Sequence, residues 1–216
     1  MAESYDERAA RKAYMRRRQR LVFSITGMVM AVALVISLLF YYNVFGLGLV
    51  KTATVLPNYG VTAPCAPTDA DGKTIKYTDN KSVSIRVLNG TPSFGFSSAV
   101  AEALENRNFP QPQVDNYSSK KVERTTIYFG KNAIAQAYTL NSNFTDTMMV
   151  MDDREDMLID VVLGATFNDL ADKKDVPGTN DTIVNIKGCV AADKMTNLPK
   201  AIKHTPVNNT DPNAQQ

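Results

Sequence analysis

Residues 84–109 read "SIRVLNGTPSFGFSSAVAEALENRNF", and the fold turns on how this stretch is read. Val83, Ile85 and Val87 alternate with Ser84 and Arg86, the two-residue period of a strand. Asn89-Gly90 turns the chain. Phe96, Ala99, Val100, Ala103, Leu104 and Arg107 then recur at helical spacing, and small or apolar residues form most of one face. Asn108 ends that helix and Pro110 prevents its return. Inside the turn, "GTPSFGFS" has the spacing of a phosphate-binding loop, G-x-x-x-x-G-K-[ST], with Phe96 at the lysine position. That lysine neutralises phosphate charge and phenylalanine carries none, which argues against nucleotide hydrolysis. Two readings of the loop stay open. Asn89, Gly90, Thr91, Gly95, Phe96 and Ser97 form a candidate anion or ligand loop, with free amides at a helix N-terminus to favour a phosphate or uronate. Alternatively Gly90 and Gly95 serve only the backbone of a tight β-α turn. Of Phe94 and Phe96, at least one is expected to staple the helix into the core.

Downstream, the pattern repeats. "QVDNY" is a short strand closing the first unit; "RTTIYFG" is a strand ending on Gly130. "KNAIAQAYTLN" reads as a helix with Asn132 as its N-cap, and "TDTMMVMD" as a strand. These make two consecutive β-α-β units. "MLIDVVLGATF" adds another apolar strand, and "TIVNIKGCV" a short edge strand carrying Cys189. Two helices cannot cover both faces of a sheet of four to six strands. The fold class predicted is therefore α/β: a small two-layer sandwich of two consecutive β-α-β units plus extra strands, both helices on one face.

Upstream, residues 21–50 carry no charge. Leu21 to Tyr42 meets the length of about 20 apolar residues that spans a bilayer core. Seven Lys or Arg against three acids precede it, whereas the rest of the chain holds 17 basic and 19 acidic residues. The basic flank places the N-terminus in the cytoplasm and the remainder outside. A cleaved signal peptide would have an apolar core of only about 7–15 residues, so the run reads as an uncleaved anchor. The basic character is confined to the first twenty residues, which gives no support to a nucleic-acid role. Cys65 and Cys189, the chain's two cysteines, both fall on the outer side, where a pair bridges more often than it stays free.

Catalytic and metal chemistry find little purchase. The one histidine, His204, lies in a polar C-terminal segment, which leaves a serine or cysteine nucleophile without a base in the domain. Asp152, Asp153, Glu155 and Asp156 lack the ordered alternation of a calcium loop and read as a solvated turn. No catalytic residue, metal ligand or cofactor is assigned.

The order of these pieces resembles the LytR C-terminal domain. That family has a strand ending in Leu-Asn-Gly, a glycine before the first helix, a Thr-x-Ile-x-Tyr strand and a final Val-x-x-Gly-x-x-Phe. Here these correspond to Leu88-Asn89-Gly90, Gly95, Thr125/Thr126-Ile127-Tyr128, and Leu163-Gly164 to Phe167. The resemblance covers about residues 81–168, and "TPSFGF" departs from the small residues more usual there. It implies the stand-alone, single-pass type found in actinobacteria, without the LytR-CpsA-Psr catalytic domain. The expected layout is a basic cytoplasmic tail (1–20), a transmembrane helix (21–42), an extracytoplasmic stalk (43–80), the LytR C-terminal-like domain (81–190) and a disordered polar tail (191–216). The implied function is a non-enzymatic accessory protein of the plasma membrane and cell envelope. Its partners would be the lipid bilayer and either an envelope-assembly protein or a wall glycopolymer. The alternatives are an extracytoplasmic enzyme acting on envelope glycans and a passive membrane-to-wall tether.

Overall fold

The computed structural model describes residues 7–42 and 55–207. Two compact units divide the chain, with the boundary after Val55. Among its described residues the first contains one helix, α1 (Glu7–Tyr41). At 1.5 Å per residue it is about 50 Å long, against a hydrocarbon core of about 30 Å. Its segment Arg11–Tyr41 is long and apolar enough to cross a membrane. The basic residues are not a separate element but the early turns of the same helix. Residues 43–54, the first part of the expected stalk, lie outside the described residues.

The second unit is built on β1 (Ser84–Asn89), α2 (Phe96–Glu105), β2 (Gln113–Asn116), β3 (Thr126–Phe129), α3 (Ile134–Asn141), β4 (Met148–Met151) and β5 (Leu158–Leu163). The five strands form one sheet in the order β2-β1-β5-β3-β4. Both β-α-β units are present: β1 pairs parallel with β2, and β3 with β4. β5 joins them, parallel to β1 and antiparallel to β3. Alternation fixes the two faces. Ile85, Val87, Ile127, Phe129, Met149, Ile159, Val161 and Leu163 share one buried cluster with Val100 and Leu104 of α2 and Ala137 and Leu140 of α3. The helices thus cover one face, as the two-layer reading requires. β1 and β5 are buried along almost their whole length on both faces, so the second face is covered too.

Residues 56–80 pack into this unit and are not a free stalk. Asn58 mimics a strand partner at the β4 edge: its Nδ2 donates to the Met149 carbonyl at 2.8 Å and its Oδ1 accepts from the Met149 N–H at 2.7 Å. Tyr59 and Arg124 both bond to Asp146, with the guanidinium 3.5 Å from the Tyr59 ring centre. The hydrogen bond from Tyr59 holds the Asp146 carboxyl below its ordinary range. Farther on, the Tyr138 hydroxyl donates to the Pro64 carbonyl at 2.8 Å.

Cys65 and Cys189 are joined, with their Cα atoms 5.0 Å apart. "TIVNIKGCV" is not a strand of the sheet. It makes only isolated bridges, Lys76 to Thr182 and Pro64 to Val190, and so pairs the incoming segment with the outgoing one. A crosslink over 124 residues restrains a large loop of the unfolded chain. Cys65→Ser is expected to lower stability by about 2–4 kcal/mol with the fold retained, read from urea midpoints of the two proteins under oxidising conditions.

The polar tail needs a larger correction. Residues 191–207 are folded onto the domain: Met195 and Leu198 pack against the core, and the chain is pinned as far as Val207, whose carbonyl accepts from the Met157 N–H at 2.9 Å. Residues 208–216 lie outside the described residues. Asn132 is likewise not a helix cap. Its Nδ2 donates to the Glu155 carbonyl at 2.6 Å, while a 3-10 turn, Lys131–Ala133, leads into α3.

Candidate functional site

In an open α/β sheet, ligands favour the crevice at the carboxyl ends of the strands. Here β1 and β2 end side by side next to the start of α2, around a cleft of about 790 Å³. Asn89, buried at the end of β1, organises the loop above it. Its Oδ1 accepts from both the N–H and the hydroxyl of Thr91 at 2.9 Å, and its Nδ2 donates to the Ser93 carbonyl at 2.6 Å. Gly90 is needed for close approach. It has no positive φ, but a Cβ there would stand 2.6 Å from the Leu163 carbonyl oxygen and from Val122. Gly95 does have positive φ, 72°, and forms the N-cap of α2 without a side-chain cap.

Of the sequence-predicted loop residues, Asn89, Thr91, Gly95 and Ser97 line the cleft, while Gly90 and Phe96 do not. Phe96, at the lysine position of the motif, packs edge-on against Phe167 at 5.5 Å, and Phe167 against Phe144 at 5.9 Å. Phe94 is fully exposed. Leaving such a ring in water forgoes about 1.5–3 kcal/mol of burial. The loop's positive charge comes from elsewhere: Lys120 Nζ donates to the Asn89 carbonyl at 3.0 Å and to Asn116 Oδ1 at 2.7 Å. Asp115 lines the same cleft. One lysine and one aspartate leave its side chains without net charge, which does not favour a dedicated anion site. Lys120, Asn116 and Asp115 carry no local signal. The parallel pairing of β1 with β2 brings Asp115 and Asn116 here, and hydrogen bonds to Asn89 and Asn116 hold Lys120 beside them.

The second sheet face is polar at its centre. Arg86 and Asp160 occupy paired positions on β1 and β5, alternating with the residues that face the helices. Arg86 Nε and Nη2 donate to the two oxygens of Asp160 at 2.7 and 2.9 Å. Arg154 donates to Asp160 at 2.9 Å, to Asp152 at 2.7 Å and to the Leu158 carbonyl at 3.0 Å. Asp152, Arg154 and Asp160 are all buried. Burial works against the Arg154 charge, but hydrogen bonds to Asp152 and the field of Asp160 outweigh it and hold the guanidinium above its ordinary pKa. The acidic turn is therefore only partly solvated, with Asp153 and Glu155 exposed. Asp152 is paired inside, Asp153 holds Lys200 and the Ala201 N–H at 2.6 and 2.8 Å, and Asp156 is buried.

His204 completes this clasp. Its Nε2 lies 2.8 Å from Asp156 Oδ2, which also accepts from the Val207 N–H at 3.0 Å. Its Nδ1 lies 2.6 Å from the Ile202 carbonyl oxygen. Both ring nitrogens are engaged within the domain, one by a carboxylate and one by a backbone carbonyl. The cavity beside it, about 460 Å³, is lined by no serine or cysteine. Histidine and carboxylate thus act as a fastening for the C-terminal segment.

These observations define an α/β domain closed by a disulfide, in a chain that also carries a membrane-length helix. Residues 82–167 match the family model described as LytR cell envelope-related transcriptional attenuator. Among solved structures, the chain is similar to the soluble domain of a conserved hypothetical secreted protein (Rv2700 ortholog) from Mycobacterium marinum. The identity is 26% over 51% of this chain and 82% of that one, with a TM-score of 0.44. No curated protein matches the chain.

Proposed function

We propose that this chain is a single-pass, non-enzymatic accessory protein of the cell envelope, whose outer domain binds a wall glycopolymer. Residues 1–20 would form the basic cytoplasmic face, residues 21–42 the span, and the second unit would stand outside. The observation that carries this reading is the joining of a membrane-length helix to a disulfide-closed domain that matches the LytR family model. Disulfides persist in oxidising compartments, and the family description ties the domain to the envelope. The engaged ring of His204 speaks against an enzyme.

Two measurements test the proposal. A reporter active only outside the membrane should work when fused after Gln216 and fail when fused before Ala2. The purified full chain in detergent should co-sediment with peptidoglycan sacculi. Turnover of a wall glycan by the chain, or failure to sediment with sacculi, would overturn it.

A further inference from the structure

We infer that the cleft at the carboxyl ends of β1 and β2 is a carbohydrate subsite in which Phe94 stacks on a sugar ring. This rests on the reading of the domain as a glycan binder and adds which surface does the binding and by what chemistry. Its volume, about 790 Å³, falls within the range of small-molecule sites, about 300–1,000 Å³.

Two walls of the cleft carry exposed apolar groups, Phe94 from the loop and Val114 from β2. Phe94 does not owe its exposure to a loose loop. The residue before it is pinned through its carbonyl by Asn89 Nδ2, and the residue after it is the fixed left-handed cap of α2. Between these walls the groups are polar and balanced in charge. Lys120 spends two of its three N–H donors on Asn89 and Asn116. Asn116 accepts from it through Oδ1, which leaves the amide N–H groups for a ligand. Asp115 adds acceptors.

A pyranose has a matching constitution. It presents a flat C–H face that packs on an aromatic ring, and a rim of hydroxyls that both donate and accept. A phosphate would meet Asp115, and a cation would meet Lys120. A neutral sugar meets neither objection.

The test uses the full chain in detergent micelles and three probes: an N-acetylglucosamine tetramer, the N-acetylglucosamine–N-acetylmuramic acid disaccharide, and inorganic phosphate. Calorimetric titration should show binding of at least one saccharide and none of phosphate. Phe94→Ala should weaken saccharide binding at least tenfold at an unchanged melting temperature, and Phe94→Tyr should retain it. Equal affinity of wild type and Phe94→Ala would overturn the inference, as would binding of phosphate alone. Sacculus co-sedimentation separates the two levels. If wild type and Phe94→Ala sediment equally, the envelope role stands and this subsite falls. If wild type stays in solution, both fall.

Discussion

Arg154→Met is expected to destabilise the second unit by about 3–5 kcal/mol. The guanidinium lies between two buried carboxylates, Asp152 and Asp160. Removing it strands at least part of two negative charges in a medium that solvates them poorly, and frees the Leu158 carbonyl as well. Urea unfolding of the full chain in detergent, followed by tyrosine fluorescence because the chain has no tryptophan, gives the difference directly. The triple variant Arg154→Met, Asp152→Asn, Asp160→Asn should recover part of the loss. A single-variant loss below about 1 kcal/mol, the scale of an exposed pair, would mean that water reaches these carboxylates.

Gly130→Ala should be comparably damaging, by about 3 kcal/mol or more, at the upper end of overpacking costs. A Cβ at this position would lie 2.1 Å from the Arg154 carbonyl oxygen and 2.6 Å from its Cγ. The backbone φ is −89°, so alanine meets no conformational objection, and the whole effect comes from the chain passing over it. Gly178→Ala is the control: its nearest neighbour would be 3.6 Å away, and its midpoint should stay close to wild type. Equal midpoints for the two variants would show that the turn carrying Arg154 moves aside freely.

Both predictions concern a turn whose role is hidden from the sequence, while the scaffold around it is not. Regular spacing of apolar residues exposes β1, α2 and β3, and a continuous apolar run exposes β5. The loop after β1 is visible through Asn89-Gly90 and Gly95. The turn at 152–156 reads as acidic and solvated because four of its five residues are acids. The burial of Asp152 within it depends on Arg154 turning inward and on Asp160 arriving from β5. The segment 191–207 reads as disordered on composition, yet Asp153, Asp156 and Arg86, distant in the chain, hold its polar groups. Lys120 escapes for the same reason: it meets Asn89 from 31 residues away. Apolar burial leaves a local rhythm in a sequence, whereas a polar partnership between distant residues leaves none.

The position of the disulfide also has a mechanical consequence. All five strands, with α2 and α3, lie between Cys65 and Cys189. A pull applied at residue 55 and resisted at residue 207 would enter at one sulfur and leave at the other, so tension would bypass the sheet. Only the segments outside the covalent ring would pay out, and the outgoing one, residues 190–207, would detach by breaking the His204–Asp156 and Lys200–Asp153 fastenings in turn. In the oxidised protein the cleft at β1 and β2 would keep its shape under load. In the reduced protein the same force would fall on the strands themselves.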